Sequence, residues 1–397
     1  MTAPEAQRGS SIIEPAPTTP GDENPYGPRR ALRQGAKVLP EHARGHNRAL
    51  LLQTLFHEGA MSRADLSRET GLTRVTISDL VSELIADGFV VEVGVREASG
   101  PGKPAILIDL DRTGHRILAL DLSASDRFVG AVLTLDGRIV TRRVVDHVEH
   151  LDDAAGIVVG LARELAAESD MPILGMGVGT PGVVDDAGVV LIAPNFGWRD
   201  FDLKAALRAA VDVPVIVAND ANAAVLAEYT FGGADDVLLV KIGRGVGSGL
   251  VIDGRPVRGS HSAAGEIGHV TVGTDGGPLC ACGRSGCLEA WLSAPALTAR
   301  IADAEPADRD GILHDAGERL GIALAPVVGA LDLSEVVLSG PPELLDGPLA
   351  RATLETLRSR ILTVLHDGIR VRMTEQGQDI VLRGAAVMVL SGQLGVS

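Results

Sequence analysis

All three cysteines of this 397-residue chain fall within eight positions, at Cys280, Cys282 and Cys287. His269 lies just upstream, and carboxylates bracket the stretch at Glu266 and Glu289. Three thiolates and one imidazole are a full tetrahedral set for a structural zinc ion. Gly283 and Gly286 let the backbone wrap around a small ion. A disulfide framework fits poorly, because the cysteine count is odd and the N-terminus lacks the charged-then-apolar layout of a secretion signal. The remaining alternative is three ordinary buried thiols. A zinc ion here would staple a loop and fix the direction of the two carboxylates beside it.

The chain is long enough for two to three domains. Apolar residues make up 45% of it but aromatics only 3%, so its cores must be built from Val, Leu, Ile and Ala. It has no run of about 18 apolar residues of the kind that spans a bilayer, and a cytoplasmic protein without a membrane segment is expected. The net charge of −16 argues against nucleic-acid binding over the whole surface. The charge is uneven, however. Residues 29–74 hold nine basic side chains against four acidic ones, which suits one dedicated DNA-contacting face on an acidic body.

Residues 1–40 carry seven prolines and almost no apolar periodicity, so a disordered tail is expected there. Residues 41–110 read as a winged helix-turn-helix. A first helix carries Ala49 to Phe56, a second starts after the N-cap candidate Ser62, and Gly71 permits a sharp turn. Thr73 is the N-cap candidate of a third helix with an apolar face of Val75, Ile77, Leu80, Val81, Leu84 and Ile85. Its outward positions are Arg74, Thr76, Ser78, Asp79 and Ser82. Short polar side chains with an arginine suit phosphates and base edges. Strands at Phe89–Val93 and Ala105–Leu110 would form the wing, with Lys103 near its tip. The DNA-contact candidates are Arg63, Thr73, Arg74, Thr76, Ser78, Ser82 and Lys103. The alternative for this region is a small helical interaction module.

Residues 111–397 alternate strand and helix signals and predict an α/β domain of two lobes with a cleft. Among them are strands near 117–122, 173–178, 215–217 and Val237–Ile242, with helices near 153–168, Leu203–Ala210 and 221–229. Polar clusters fall where strands end, the usual place for ligands in such folds. They are Gly179-Thr180-Pro181-Gly182, Pro194-Asn195 with Trp198, Asn219-Asp220-Ala221-Asn222, and the Glu266, His269, Glu289 set. Amides and carboxylates converging on one cleft suit a polyhydroxy ligand, whose hydroxyls both donate and accept. Asp220 also fits a general base for phosphoryl transfer. Asn219 and Asp220 equally suit the cap of the helix after them.

These motifs, with Gly265-Glu266-x-Gly268-His269 and Cys280-x-Cys282-Gly283-x2-Gly286-Cys287-x-Glu289, resemble the ROK family (repressors, open reading frames and sugar kinases) in the same order. With the winged helix attached, the chain resembles the transcriptional-regulator branch. The resemblance implies an actin-like, two-lobed sugar-kinase fold with zinc held by His269, Cys280, Cys282 and Cys287. It implies sugar contacts from Gly182, Asn195, Asn219, Asp220, Glu266, His269 and Glu289, with Asp220 in the catalytic-base position of the family's kinases.

Where those kinases carry an Asp-x-Gly-Gly-Thr phosphate loop, this chain reads Asp121-Leu122-Ser123-Ala124-Ser125. The adenosine-side loop reads Ser339-Gly340-Pro341-Pro342, where proline removes a backbone donor. A second glycine-rich loop, Gly243 to Gly249, survives. The expectation is therefore a non-enzymatic, sugar-responsive repressor acting on operator DNA as a homodimer or homotetramer. A sugar kinase that kept its helix-turn-helix is the alternative, and a constitutive DNA-binding protein with a vestigial sugar fold is a third reading.

Overall fold

A computed structural model describes residues 40–96, 104–124, 126–146, 153–233, 236–273, 276–362 and 368–396. The tail expected over 1–40 lies outside these residues except for Pro40, and so do Ser125 and the wing tip with Lys103.

The N-terminal module runs α1 (Pro40–Glu58), β1 (Met61–Ser62), α2 (Arg63–Thr70), α3 (Arg74–Ala86), β2 (Val90–Val95) and β3 (Ile106–Leu110). The three strands pair antiparallel in the order β1-β3-β2, which makes a winged helix-turn-helix. Local chemistry sets its corners. Ser62 caps α2 in a capping box with Asp65, and Gly71 ends that helix at a φ of 71°. Thr73 then caps α3 by accepting the Thr76 N–H. Leu51, Leu55, Leu66, Ile77, Val81, Leu84 and Ile108 are fully buried. Val75 is not part of that core: it is 71% exposed. At about 100° per residue it sits roughly 200° around the helix from Ile77. Ile85, at the end of α3, is 37% exposed.

The rest of the chain forms two lobes with the same topology. The first holds β4 (Arg116–Asp121), β5 (Arg127–Leu133), β6 (Ile139–Asp146), α4 (Ala154–Ala167), β7 (Ile173–Thr180), α5 (Leu203–Ala210), β11 (Val215–Asn219) and α6 (Asp220–Gly232). A small sheet of β8 (Val183–Val184), β9 (Val190–Ala193) and β10 (Trp198–Phe201) is inserted after β7. The second lobe holds β12 (Val237–Ile242), β13 (Val246–Ile252), β14 (Arg255–Pro256), α7 (Leu288–Leu292), α8 (Ala294–Ala302), α9 (Arg309–Leu331), β15 (Glu335–Ser339), α10 (Pro342–Leu345), α11 (Pro348–Arg360), β16 (Arg370–Met373) and α12 (Ile380–Leu394).

The two large sheets have matching orders, β11-β7-β4-β5-β6 and β16-β15-β12-β13-β14. In each, an antiparallel meander is extended by two parallel strands. Both faces of the central strands are buried, as their unbroken apolar runs require. Along β4, Ile117 and Ala119 enter the central core, whereas Leu118 and Leu120 enter the core beneath α4 and α5. Along β12, Val237 and Leu239 face the central core, whereas Leu238 and Val240 face α9 and α11.

Helices α6 and α12 cross between the lobes. Gly384 allows their close approach, since a Cβ there would lie 1.8 Å from the Ala223 carbonyl oxygen. The central core continues from these helices into the winged module: Leu394 and Val396 share one apolar cluster with Leu51 and Leu55. Phe56 of α1 meets Phe231 at the end of α6, with ring centroids 6.4 Å apart. Arg112 donates to the Leu55 and Phe56 carbonyls at 3.3 and 3.2 Å, placing a cation at the C-terminus of α1. Among the described residues no helix is long and apolar enough to cross a membrane.

Candidate functional site

The Gly182, Asn219–Asp220 and Glu266–His269–Glu289 clusters come together near the carboxyl ends of β7 and β11. Asn219, the last residue of β11, caps α6 by accepting the Ala221 and Asn222 N–H groups at 2.9 and 3.2 Å. Its Nδ2 donates to the Gly182 carbonyl at 2.9 Å. Capping and site-building are thus combined in one side chain, which ties the loop after β7 to α6. Only glycine fits at 182: its φ is 89°, and a Cβ would lie 2.0 Å from the Ile192 carbonyl oxygen. Asn195 is exposed in the 3₁₀ turn Pro194–Phe196. Trp198 is 9% exposed between Phe196 and Phe201, so it packs and supports that turn.

Asp220 opens α6. Its Oδ1 accepts the Ala221 N–H at 2.9 Å and its Oδ2 accepts the Lys241 ammonium at 2.9 Å. The two side chains are 15% and 17% exposed. Lys241 was not among the residues singled out from the sequence. The available signal was a lone cation in the apolar run Val237–Ile242. Burial pushes the Asp121 carboxyl up, opposed by Lys241. Glu266 is likewise pushed up by burial; His269 opposes this, while Asp220 and Glu289 add to it. Asp121, Asp220, Glu266, Glu289, Lys241 and His269 therefore share one electrostatic neighbourhood. Glu289, in the first turn of α7, accepts the Val246 N–H at 3.0 Å and lies 3.7 Å from the Cys280 sulfur. Trp291 on the same short helix has Arg319 and Arg300 over its ring, at 3.9 and 5.4 Å from the centroid, which holds the helix that carries Glu289.

His269, Cys280, Cys282 and Cys287 do converge. Their ligand atoms all lie within 4.8 Å of one another. Cys280 Sγ is 3.7 Å from His269 Nδ1, and Cys282 Sγ is 3.6 Å from Cys287 Sγ. Zinc arms of about 2.0–2.3 Å place tetrahedral ligand atoms roughly 3.5–3.8 Å apart, so the donor set fits that ion in both chemistry and spacing. Without metal the thiols differ. Backbone hydrogen bonding at Arg284 lowers Cys282 to about 6, and burial raises Cys280 to about 12.

In the segment compared above with the kinase phosphate loop, two backbone amides bond within the chain. Leu122 is fully buried and gives its N–H to the Gly179 carbonyl, while the Ser123 N–H goes to Asp121 Oδ1, both at 2.9 Å. In the surviving glycine-rich loop, a Cβ at Gly245 would lie 2.6 Å from Glu289 Oε2, and one at Gly249 would lie 2.4 Å from the Ala221 carbonyl oxygen. These glycines are accounted for by close packing on the cleft and on α6. Pro341 caps α10 with its carbonyl, which accepts the Leu344 and Leu345 N–H groups.

On the winged module Arg74, Ser78 and Ser82 are exposed along α3, with Thr73 before it and Thr76 partly covered. Ser78 and Ser82 donate to backbone carbonyls four residues earlier, at 2.9 and 2.8 Å. Arg63 instead reaches Glu92 on the wing at 3.4 Å. Val75 joins the outward face.

The ROK family profile matches residues 118–391. The putative xylose repressor of Caldicellulosiruptor sp. (strain Rt8B.4) is 29% identical over 387 residues, covering 88% of this chain and 96% of that protein. The crystal structure of a ROK family transcriptional regulator, a homologue of the E. coli MLC protein, superimposes with a TM-score of 0.78 at 27% identity, over 89% of this chain and 98% of the other. A ROK family glucokinase from Streptomyces griseus, in complex with glucose and AMPPNP, gives 0.61 at 26% identity and covers 68% of this chain and 98% of its own. Its match stops short of the chain length reached by the regulator. With a profile match across both lobes and the whole cleft, this chain belongs to the ROK family.

Proposed function

We propose that this protein is a DNA-binding transcriptional repressor controlled by a sugar bound in the cleft of its two lobes. The observation that carries this reading is the joining of a winged helix-turn-helix to a ROK domain, and the internal hydrogen bonds of the Leu122 and Ser123 amides support a sensor over a kinase. The full-length match to a putative xylose repressor supports the same reading and puts xylose first in the effector panel.

In this reading residues 41–110 hold the DNA, through Arg74, Thr76, Ser78, Ser82, Thr73 and Arg63, with Lys103 on the wing. Residues 111–397 hold the sugar, through Gly182, Asn195, Asn219, Asp220, Glu266, His269 and Glu289. His269, Cys280, Cys282 and Cys287 would bind a zinc ion, which supplies a rigid tetrahedral node. The chain's own residues do the rest: His269 turns Nδ1 to the sulfurs and leaves Nε2 for a ligand, and Glu289 is held by Val246. The protein would be cytoplasmic. It would work as a homodimer or homotetramer, since winged helices on a palindromic site act in pairs.

The sugar would act through α6. That helix begins at Asp220 in the cleft and ends at Phe231 against Phe56 of the winged module. A sugar can shift the DNA-bound arrangement only by its difference in affinity for the two states. The second reading, a sugar kinase with a retained DNA module, is favoured only by the likeness to glucokinases. A sugar-panel assay of coupled ATP consumption separates the two. No turnover is expected, and turnover within the usual kinase range of about 1–100 per second would reverse the reading.

A further inference from the structure

Lys241 stands on the face of β12 that meets α6, in line with Val237 and Leu239 of the central core. Its strand neighbours Val240 and Ile242 are fully buried. A cation in such a run is costly unless it is paired. It is paired with Asp220, the first residue of α6, at 2.9 Å. Asp121, at the end of β4 in the other lobe, acts on it as well: burial works to lower the ammonium, but Asp220 and Asp121 outweigh burial and hold it above its ordinary value. Lys241 is therefore charged wherever the protein is folded near neutral pH.

The ammonium thus joins β12 directly to the first residue of α6, and the Asp121 carboxylate of β4 acts on it electrostatically. With Oδ1 on the Ala221 N–H and Oδ2 on the ammonium, the Asp220 carboxylate is fixed in direction. It keeps free lone pairs with which to accept a hydroxyl hydrogen. The charged groups acting on this neighbourhood are Lys241 on β12, Asp121 on β4 and Glu266 in the turn before His269, with Glu289 acting on Glu266 in turn.

We propose that Lys241 is a positioning residue of the sugar site: its ammonium holds one oxygen of Asp220 and so orients that carboxylate as the acceptor for a ligand hydroxyl. This rests on the sugar-binding reading above.

The test is calorimetric titration of xylose and a panel of neutral sugars into the full-length wild type, Lys241→Met, Lys241→Arg and the charge-balanced Lys241→Met/Asp121→Asn pair, from about pH 5 to about pH 8.5. Thermal unfolding is recorded for each. Wild type should bind at least one sugar. Lys241→Met should lose about tenfold or more in affinity across that pH range, because Asp220 is no longer held in direction. Lys241→Arg should keep most of the affinity. The charge-balanced pair should fold and still bind weakly, which covers the case in which the single variant fails to fold. If Lys241→Met binds as wild type does, or Lys241→Arg loses as much affinity as Lys241→Met, the assignment of Lys241 is wrong while the sugar site stands. If wild type binds no sugar in the panel, the sugar-binding reading itself is wrong.

Discussion

Replacing Arg372 by methionine removes the guanidinium beside a fully buried carboxylate. Glu228 of α6 has no exposed side-chain surface, and its Oε1 lies 2.6 Å from the Arg372 guanidinium. Its Oε2 accepts the Thr374 hydroxyl at 2.7 Å. The same guanidinium holds Glu335 through two bonds of 3.0 and 3.1 Å. Arg370 reaches Glu335 at 3.5 Å but is 73% exposed, so it relieves Glu335 only weakly. One cation thus serves two buried acids and pins α6 to β15 and β16. At an effective dielectric near 20, a charge pair at about 4 Å is worth roughly 4 kcal/mol. Breaking a buried pair from one side costs about 3–5 kcal/mol, because the remaining charge stays buried. Arg372→Met should therefore lower stability by about 3–5 kcal/mol in urea unfolding at neutral pH. Adding Glu228→Gln should recover part of the loss by removing the stranded charge. A loss under about 1 kcal/mol, or a double variant no more stable than Arg372→Met, would refute this account of the network.

Four further outcomes are expected. Cys282→Ser should abolish binding of about one zinc per chain and lower thermal stability; metal analysis finding no zinc in wild-type protein prepared without chelators would contradict the zinc site. Asp220→Ala and Glu289→Ala should each weaken a confirmed sugar at least about tenfold by calorimetry, and unchanged affinity in both would place the sugar elsewhere. Arg74→Ala should cost about 1–3 kcal/mol in operator binding with relaxed choice at one base position, whereas Lys103→Ala should weaken all sequences alike and reduce the salt slope by about 1. Asp65 is held well below the usual carboxylate range, first by the Ser62 hydroxyl and also by Arg96 and Arg68. Its contribution is full above about pH 4 and is lost as pH falls further, so the stability gap between wild type and Asp65→Asn should narrow between about pH 5 and pH 3.

Much of this architecture is legible in the sequence because it is written locally. Helix Leu203–Ala210 and strand Val237–Ile242 lie where their periodicity puts them. The four metal-ligand candidates are near one another in the chain and meet in space. Ser62, Gly71 and Thr73 act at the helix ends their chemistry suits. What escaped was non-local. Lys241 has no partner at a readable spacing, because Asp220 and Asp121 reach it from another helix and another lobe. The Glu228–Arg372 tie joins residues far apart in sequence. The duplication of the lobes is a matter of strand order, which apolar runs do not encode. Val75 was misplaced on the buried face because hydrophobicity was read ahead of helical angle; it is exposed where α3 turns outward.

The central claim, a DNA-binding repressor read out by a sugar, is tested most directly by titrating full-length protein onto its operator with and without sugar. The operator would be sought upstream of its own gene and of neighbouring sugar genes. Wild type should bind with a steep salt dependence, and xylose or another neutral sugar of the panel should change the affinity at least about fivefold, the lower end of typical coupling. Deleting residues 1–98 should abolish binding. Operator affinity that persists in the deletion, or that no sugar alters, would contradict the claim.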